Sequence, residues 1–378
     1  MSLFKEGCYW LLLRILRAIG FGRRHPSDGV LLFKTDRIGD FVLSTGALQM
    51  LCRKFGPEKV TMMVSKIVQP LAEREFPLCR IIAVPPSGDH LRGGLLSGWW
   101  AVRRANGGRS YRQIVSLRHH PTLFEDLLLG SIQAKESIAL VRTALGDAHR
   151  LSDLRTFRAR CTVPYPIPKE PHSGCLELEA HRRVTEATLG HPVSFEDIIP
   201  RLTRFEGAIE NHLLLAPFSS QPIKDYPTSR LVEALIAAAL PDSIPFVICG
   251  EDRQTDALMA LASEIRSRLQ NPVQLAQPVG LVEFVECVAR ARSVCSMDSA
   301  AAHIATALDH SGVFILGGGH MGHFAPWKRS IRQEWLHLRL DCFGCDWQCN
   351  QPYVRCIHDI PATTLGAAIR RVWTSSGE

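Results

Sequence analysis

The stretch 33-FKTDRIGDFVLSTGALQML-51 decides how the rest of the chain is read. Its front closes an apolar, β-rich run over 30–34. Its back opens a helical pattern over 41–55 that stops at Gly56-Pro57, a strong termination signal. Between them Asp36 and Asp40 flank Arg37 and Gly39. Asp40 stands where an N-cap belongs, a role worth about 1 kcal/mol. A cap accounts for Asp40 but not for Asp36, Arg37 and Gly39 beside it. Gly39 lets backbone approach a ligand closely. A carboxylate at the end of a first strand can take a proton from a hydroxyl held against it. The helix N-terminus keeps such an acid ionised and makes it a weaker base, so proton transfer has to accompany bond formation.

The strand-to-helix step recurs along the chain. Predicted strands cover 30–34, 59–64, 80–84, 113–117 and 137–140, then 212–216, 244–249, 272–275, 293–296 and 313–316. Helical patterns fall between most of them: 41–55, 228–240, 253–269, 281–291 and 300–308. Such alternation implies parallel sheets with helices on both faces, and it occurs twice. The expected fold class is α/β, with two doubly wound, Rossmann-like domains facing a central cleft. Ligands of such sheets meet the loops at the carboxyl ends of the strands. Between the two series, 161-CTVPYPIPKEPHSG-174 holds four prolines within eleven residues, which argues against a regular element there. A helix over 176–189 follows. The segment 85–108, with Trp99, Trp100, glycines and arginines, reads as a surface insertion.

A chain of 378 residues is too long for one ordinary core. Hydrophobic content of 46% and charged content of 21% give ample core material and a soluble character. The net charge of +7 favours anionic partners. No Lys/Arg run with interleaved aromatics points to nucleic acid. Residues 1–28 form a basic, amphipathic helical segment in which Arg14 and Arg17 interrupt the apolar run. It is too broken to span a bilayer, and it reads either as an interfacial helix at anionic headgroups or as a helix packed on protein. No signal-peptide cleavage pattern is evident. The expected location is cytoplasmic, with peripheral association at the inner face of the inner membrane under the interfacial reading.

Twelve cysteines are present, and eight are scattered, several inside apolar runs. The other four form C-x2-C-x3-C-x6-C: Cys342, Cys345, Cys349 and Cys356. Four thiols at this spacing suit a tetrahedral structural zinc or iron site, and reduced thiols or disulfides are the alternatives. The overall usage favours a reducing compartment.

Four joins carry candidate chemistry. The first holds Arg37, Gly39 and Asp40. The second, 213-LLLAPFSSQPIKDYP-227, places Ser219, Ser220 and Lys224 before a helix, an environment for phosphate. The third places Gly250 and Glu251 after a strand. The fourth runs from Asp298, Ser299 and His303 to Gly317-Gly318-Gly319-His320. His303 in isolation reads as a satisfied core histidine. The G-x-G-x-x-G at Gly317, Gly319 and Gly322 does not open a βαβ unit and is discounted as a dinucleotide fingerprint.

The strand–x-x-x-x-Gly-Asp–helix start, the Ser219/Ser220/Lys224 join and the Asp298-Ser299…His303 block resemble the heptosyltransferase family, glycosyltransferase family 9. These are inverting GT-B enzymes of lipopolysaccharide biosynthesis. The likeness runs from about Val30 to Val372. It implies a catalytic base at Asp40 and a diphosphate-stabilising Lys224. It also implies an ADP-heptose donor held by Ser219, Ser220, Gly250, Glu251, Asp298, Ser299, His303 and Gly317–Gly319, and no metal needed for catalysis. Arg37 and Gly39 would serve a glycolipid or glycan acceptor on the N-terminal domain. The chain departs from the family at Ala300, where the family has glycine, and at His320, where it has an acid. The domains implied are 1–28, the basic helix; 29–200, the acceptor domain with linker; 201–360, the donor domain with the cysteine cluster; and 361–378, a helix packing back on the N-terminal domain. Same-fold transferases acting on a protein or O-antigen are a rival reading, and a non-catalytic nucleotide-sugar scaffold is another. An oligomer is compatible with all three.

Overall fold

The computed structural model describes residues 25–26, 28–84, 100–105, 107, 109–118, 123–142, 163–165 and 175–376. The described chain falls into two compact units. One ends at Ile199; the other begins at Pro200 and takes in Cys175 and Leu176. Nearly all of the basic segment expected over 1–28 and most of the insertion at 85–108 lie outside the described residues. Among the described residues no helix is long and apolar enough to cross a membrane.

The first unit is built on β1 (Val30–Lys34), β2 (Val60–Ser65), β3 (Arg80–Val84), β4 (Arg109–Ser116), β5 (Ala134–Arg142) and β6 (Val163–Tyr165). The order is β3-β2-β1-β4-β5-β6, every pairing is parallel, and the two-residue segment His25–Pro26 also pairs with β4. Val30 to Phe33 are wholly buried, as expected of a strand covered on both faces. The strand β6 corrects the expectation for the proline-rich stretch. Pro164 is tolerated because β6 is a three-residue edge strand, where a missing N–H need not break a ladder.

The helices of this unit are α1 (Ile38–Phe55), α2 (Gln69–Glu75), α3 (Leu123–Gly130), α4 (Leu176–Leu189) and α5 (Phe195–Ile198). A Cβ on Gly46 would lie 2.2 Å from the Ile198 carbonyl oxygen, so α1 needs glycine where the α5 turn presses on it.

The second unit repeats the plan with β7 (Glu210–Ala216), β8 (Phe246–Cys249), β9 (Val273–Ala276), β10 (Ala291–Met297), β11 (Gly312–Ile315) and β12 (Gln333–Leu336). The order is β9-β8-β7-β10-β11-β12, again all parallel. Each sheet therefore follows the order 3-2-1-4-5-6, in which the winding direction reverses between strands 1 and 4 and opens a crevice beyond their carboxyl ends. In the first unit that point lies between β1 and β4; in the second it lies between β7 and β10.

The helices here are α6 (Thr228–Ala238), α7 (Thr255–Arg268), α8 (Leu281–Arg290), α9 (Ala300–Ala307), α10 (Arg355–His358) and α11 (Ala362–Ser375). The last helix was expected to pack back on the N-terminal domain. The helix belongs to the core of the second unit, where Leu365, Ile369, Val372 and Trp373 join Leu231, Leu235 and Ile315. The physical reason is close helix contact: a Cβ on Gly366 would lie 2.6 Å from the Ala234 carbonyl oxygen. Polar ties reinforce it, with Tyr226 Oη donating to Ile360 O at 2.8 Å and Arg370 Nε to Ala238 O at 2.7 Å.

Candidate active site

At the first switch point, β1 ends in Lys34 and α1 begins at Ile38. Arg37 is the N-cap and makes no side-chain cap bond. This corrects the capping expectation: Asp40 is the third helical residue, in the first turn, partly exposed. A carboxylate there is stabilised in its ionised form by the helix dipole. Arg37 is exposed and Gly39 partly buried.

Asp36 has a different role. It pairs with Lys34 Nζ at 2.9 Å and with Arg118 at the end of β4. Lys34 is fully buried and also donates to Glu177 Oε1 at 2.8 Å and Leu117 O at 3.2 Å, with His181 Nε2 at 3.1 Å. Arg118 Nη2 reaches Glu125 Oε2 at 2.9 Å, and Thr35 Oγ1 donates to the same carboxylate. The acids and cations that open the chain's first join are thus half of a buried network. The other half comes from β4, α3 and α4. Glu177 and His181 lie one turn apart on α4, so both reach Lys34 from one face.

At the second switch point the chemistry is sparser. The turn after β7 brings Lys224 to Asp298, which follows β10; Lys224 Nζ donates to Asp298 Oδ2 at 3.0 Å. Both are largely buried, Lys224 retaining 14% exposure of its side chain. Ser219 shapes the turn: its N–H donates to Asp225 Oδ1 at 2.7 Å and its hydroxyl to Gln221 O at 2.6 Å. Burial, more than it is offset by the Ser219 bonds, raises the Asp225 carboxyl above its usual range. Ser220 is exposed beside it.

Ser299 caps α9 in extended conformation without a side-chain cap bond, and Ala300 is the first residue of that helix. An initial helical residue needs no left-handed backbone, so alanine serves in place of the family's glycine. His303, one turn in, is 95% buried, with Nε2 3.8 Å from Asp298 Oδ1. Trp327 Nε1 donates to its Nδ1 at 3.1 Å. That bond leaves the ring's own proton on Nε2, facing Asp298. Burial, outweighing the pull of Asp298, lowers the His303 pKa to about 4, so the ring is neutral at physiological pH. Lys224, Asp298 and His303, read separately from the sequence, are therefore one cluster.

Gly317 to Gly319 turn past this cluster with no positive φ among them. Their need for glycine is spatial. A Cβ on Gly317 or on Gly319 would lie 2.4 Å from the Trp347 indole, and one on Gly318 would lie 2.3 Å from Phe343. His320 Nε2 meets Asp346 Oδ1 at 2.6 Å. The loop carrying these residues is the cysteine segment. Cys342, Cys345, Cys349 and Cys356 line one pocket with Gly318, Gly319 and Trp347, and all four thiols are free, which sets aside disulfides. Burial first, then the neighbouring thiols, pushes the Cys356 thiol up. Their chemistry suits zinc or iron, but among the described residues no three His, Cys, Asp or Glu side chains form a group that could hold a metal ion. Across the sheet, Gly250 and Glu251 follow β8. Glu251 is exposed, caps the next turn and pairs with Arg253 Nε at 2.6 Å.

Sequence reasoning missed Trp327, Trp347 and the Lys34 partners. Only the Ala-Pro-Trp after the glycine run and a tryptophan between cysteines offered a signal, and neither names its contact.

Two all-parallel, doubly wound units of order 3-2-1-4-5-6, one with a lysine–carboxylate pair at its switch point, give the chain the α/β architecture of the GT-B fold. Residues 171–348 match the family model of glycosyltransferase family 9 (heptosyltransferase). No curated protein sequence matches the chain. Among solved structures, it resembles a glycosyltransferase family 9 protein from Veillonella parvula, at 15% identity and TM-score 0.69 over 94% of this chain and 99% of that one. It also resembles ADP-heptose lipopolysaccharide heptosyltransferase II of E. coli, at 14% identity and TM-score 0.64 over 93% and 100%. A third likeness is to TibC, an iron-containing dodecameric glycosyltransferase of enterotoxigenic E. coli, at 13% identity and TM-score 0.51 over 93% and 78%.

Proposed function

We propose that this glycosyltransferase is an inverting heptosyltransferase that uses ADP-heptose and acts on a lipopolysaccharide-core or related acceptor. The observation that carries the reading is the Lys224–Asp298 pair, backed by neutral His303, at the second switch point. An ammonium beside a helix start and a glycine turn is suited to a diphosphate. The acceptor hydroxyl attacks the anomeric carbon as the bond from that carbon to the diphosphate oxygen breaks. Asp40 takes the hydroxyl proton; Lys224 and nearby backbone amides stabilise the departing ADP. Ser220 and Ser299 are assigned to the donor, and Arg37 and Gly39 to the acceptor. Ser219, Gly250 and Glu251 are assigned to shaping the donor loops.

The thiol loop favours one refinement. TibC is described as iron-containing. We assign the four cysteines, which line one pocket but form no metal-holding group among the described residues, to a structural zinc or iron that would draw them together and brace the loop without entering the chemistry. Metal analysis of purified chain should find about one ion, lost in Cys345→Ser. Transfer assays with lipopolysaccharide-core, O-antigen and protein acceptors separate the proposed acceptor from its rivals.

The donor is tested by thermal shift with a panel of nucleotide-sugars. Ligand at 100 times its Kd stabilises by about 2.7 kcal/mol. ADP-heptose should raise the melting temperature most; a larger shift with a uridine or guanosine sugar contradicts the donor, and no shift with any sugar contradicts the reading.

A further inference from the structure

The cysteine loop reaches the donor site through one side chain. Trp347 has positive φ (60°), as does Asp346 before it (51°), a left-handed backbone that non-glycine residues adopt at a cost. The conformation is held from outside: Gly344 N–H donates to Gly318 O at 2.8 Å and Asp346 N–H to Gly319 O at 3.1 Å. Its result is to lay the indole flat against the Gly317–Gly319 turn, where any side chain at the first or third glycine would collide with it. The Lys224 ammonium stands over the indole ring, 5.2 Å from a ring centroid. His320 meets the same indole edge-on at 5.9 Å. Among the described residues the buried indole nitrogen has no hydrogen-bond partner, and the contacts the ring makes are through its faces and edge.

From these contacts we propose that Trp347 is a positioning residue for Lys224: its π face holds the ammonium toward Asp298 and the anionic part of the donor. This rests on the assignment of Lys224 to a nucleoside diphosphate. A lysine has a long, freely rotating stem, and fixing its head in advance lowers the entropy lost when an anion binds. The carboxylate of Asp298 fixes it from one side and the indole face from another. Gly317 and Gly319 are explained by the same contact, because a side chain at either would collide with the indole, while Gly318 leaves room for Phe343 of the same loop. The role of the cysteine loop follows as well: it presents Trp347 to the donor site.

The test is a binding series on the full chain, with ADP and adenosine as probes. Trp347→Phe keeps a ring face over Lys224; Trp347→Leu keeps apolar bulk over the glycine turn but no π face. The wild type should prefer ADP to adenosine strongly; absence of that preference defeats the donor assignment and is read separately from the variants. Trp347→Leu should weaken ADP about 5-fold to 10-fold, as loss of a partly desolvated cation–π contact implies. Adenosine should be unaffected, and Trp347→Phe should recover most of the ADP affinity. In a Lys224→Met background the Leu and Phe variants should bind ADP equally. Equal ADP affinities of the Leu and Phe variants on the wild-type background, equal losses for ADP and adenosine, or a Leu effect that persists without Lys224 would each overturn the proposal. Thermal melting of each variant without ligand confirms that the folded chain is being compared.

Discussion

The two switch points occupy the same place in the same topology, yet they are furnished in opposite ways. In the first unit the strand ends carry Lys34, Asp36, Arg118 and Glu125, closed over by Glu177 and His181 of α4. Cations and acids there pair with one another, almost wholly out of water. In the second unit a single lysine meets a single carboxylate, and Lys224 stays partly exposed. A closed network specifies a fold; an open pair beside a glycine turn can take a ligand. The comparison teaches that charge at a strand end is not by itself a site. What matters is how much of it is already answered by the protein.

Four substitutions probe that contrast, in falling order of expected effect. Asp40→Asn, in the first turn of α1, should cut turnover about 10³-fold, within the range of general-base removal. Its melting temperature and donor affinity should stay near wild type; retained turnover would make Asp40 a helix-terminus charge only. Next, Lys34→Met should destabilise the first unit by about 3–5 kcal/mol, because it leaves buried carboxylates without their cation. Chemical denaturation measures this, and a loss under 1 kcal/mol would deny that the network is structural.

Third comes pH. Burial lowers the folded-state pKa of His303 from 6.5 to about 4. The unfolded chain then binds the proton first, so the neutral ring's contribution is full above about pH 6.5 and is lost as pH falls toward 4. The shift corresponds to about 3 kcal/mol. Wild-type melting temperature should fall more steeply over that window than that of His303→Asn; parallel curves would contradict the assignment. Smallest is Glu251→Gln, which removes an exposed ion pair with Arg253. It should change stability by less than about 1 kcal/mol and donor affinity little. A large loss of donor affinity would return Glu251 to the site.

Much of this architecture was legible because parallel strands announce themselves as short apolar runs between helical patterns. Ten strands were placed within a few residues, since Val30–Phe33 or Val313–Leu316 have no other reading. The edge strands Val163–Tyr165 and Gln333–Leu336 were missed: one contains proline, and the other mixes Gln333 and Glu334 with Trp335. Lys224, Asp298 and His303 were each visible at a join, but their convergence is a property of strand order, not spacing. The partners of Lys34 were invisible for the same reason: Glu177 is 143 positions away. The contact of Gly366 with Ala234, which holds helix α11 in the second unit's core, left no mark in the sequence beyond a glycine at one helical position.

The account stands on the open pair being the anion site. Calorimetric titration of ADP into the wild type and into Lys224→Met tests this most directly. The prediction is affinity lowered at least about 10-fold by the loss of a charge-assisted contact. Equal affinity in the two proteins would contradict it.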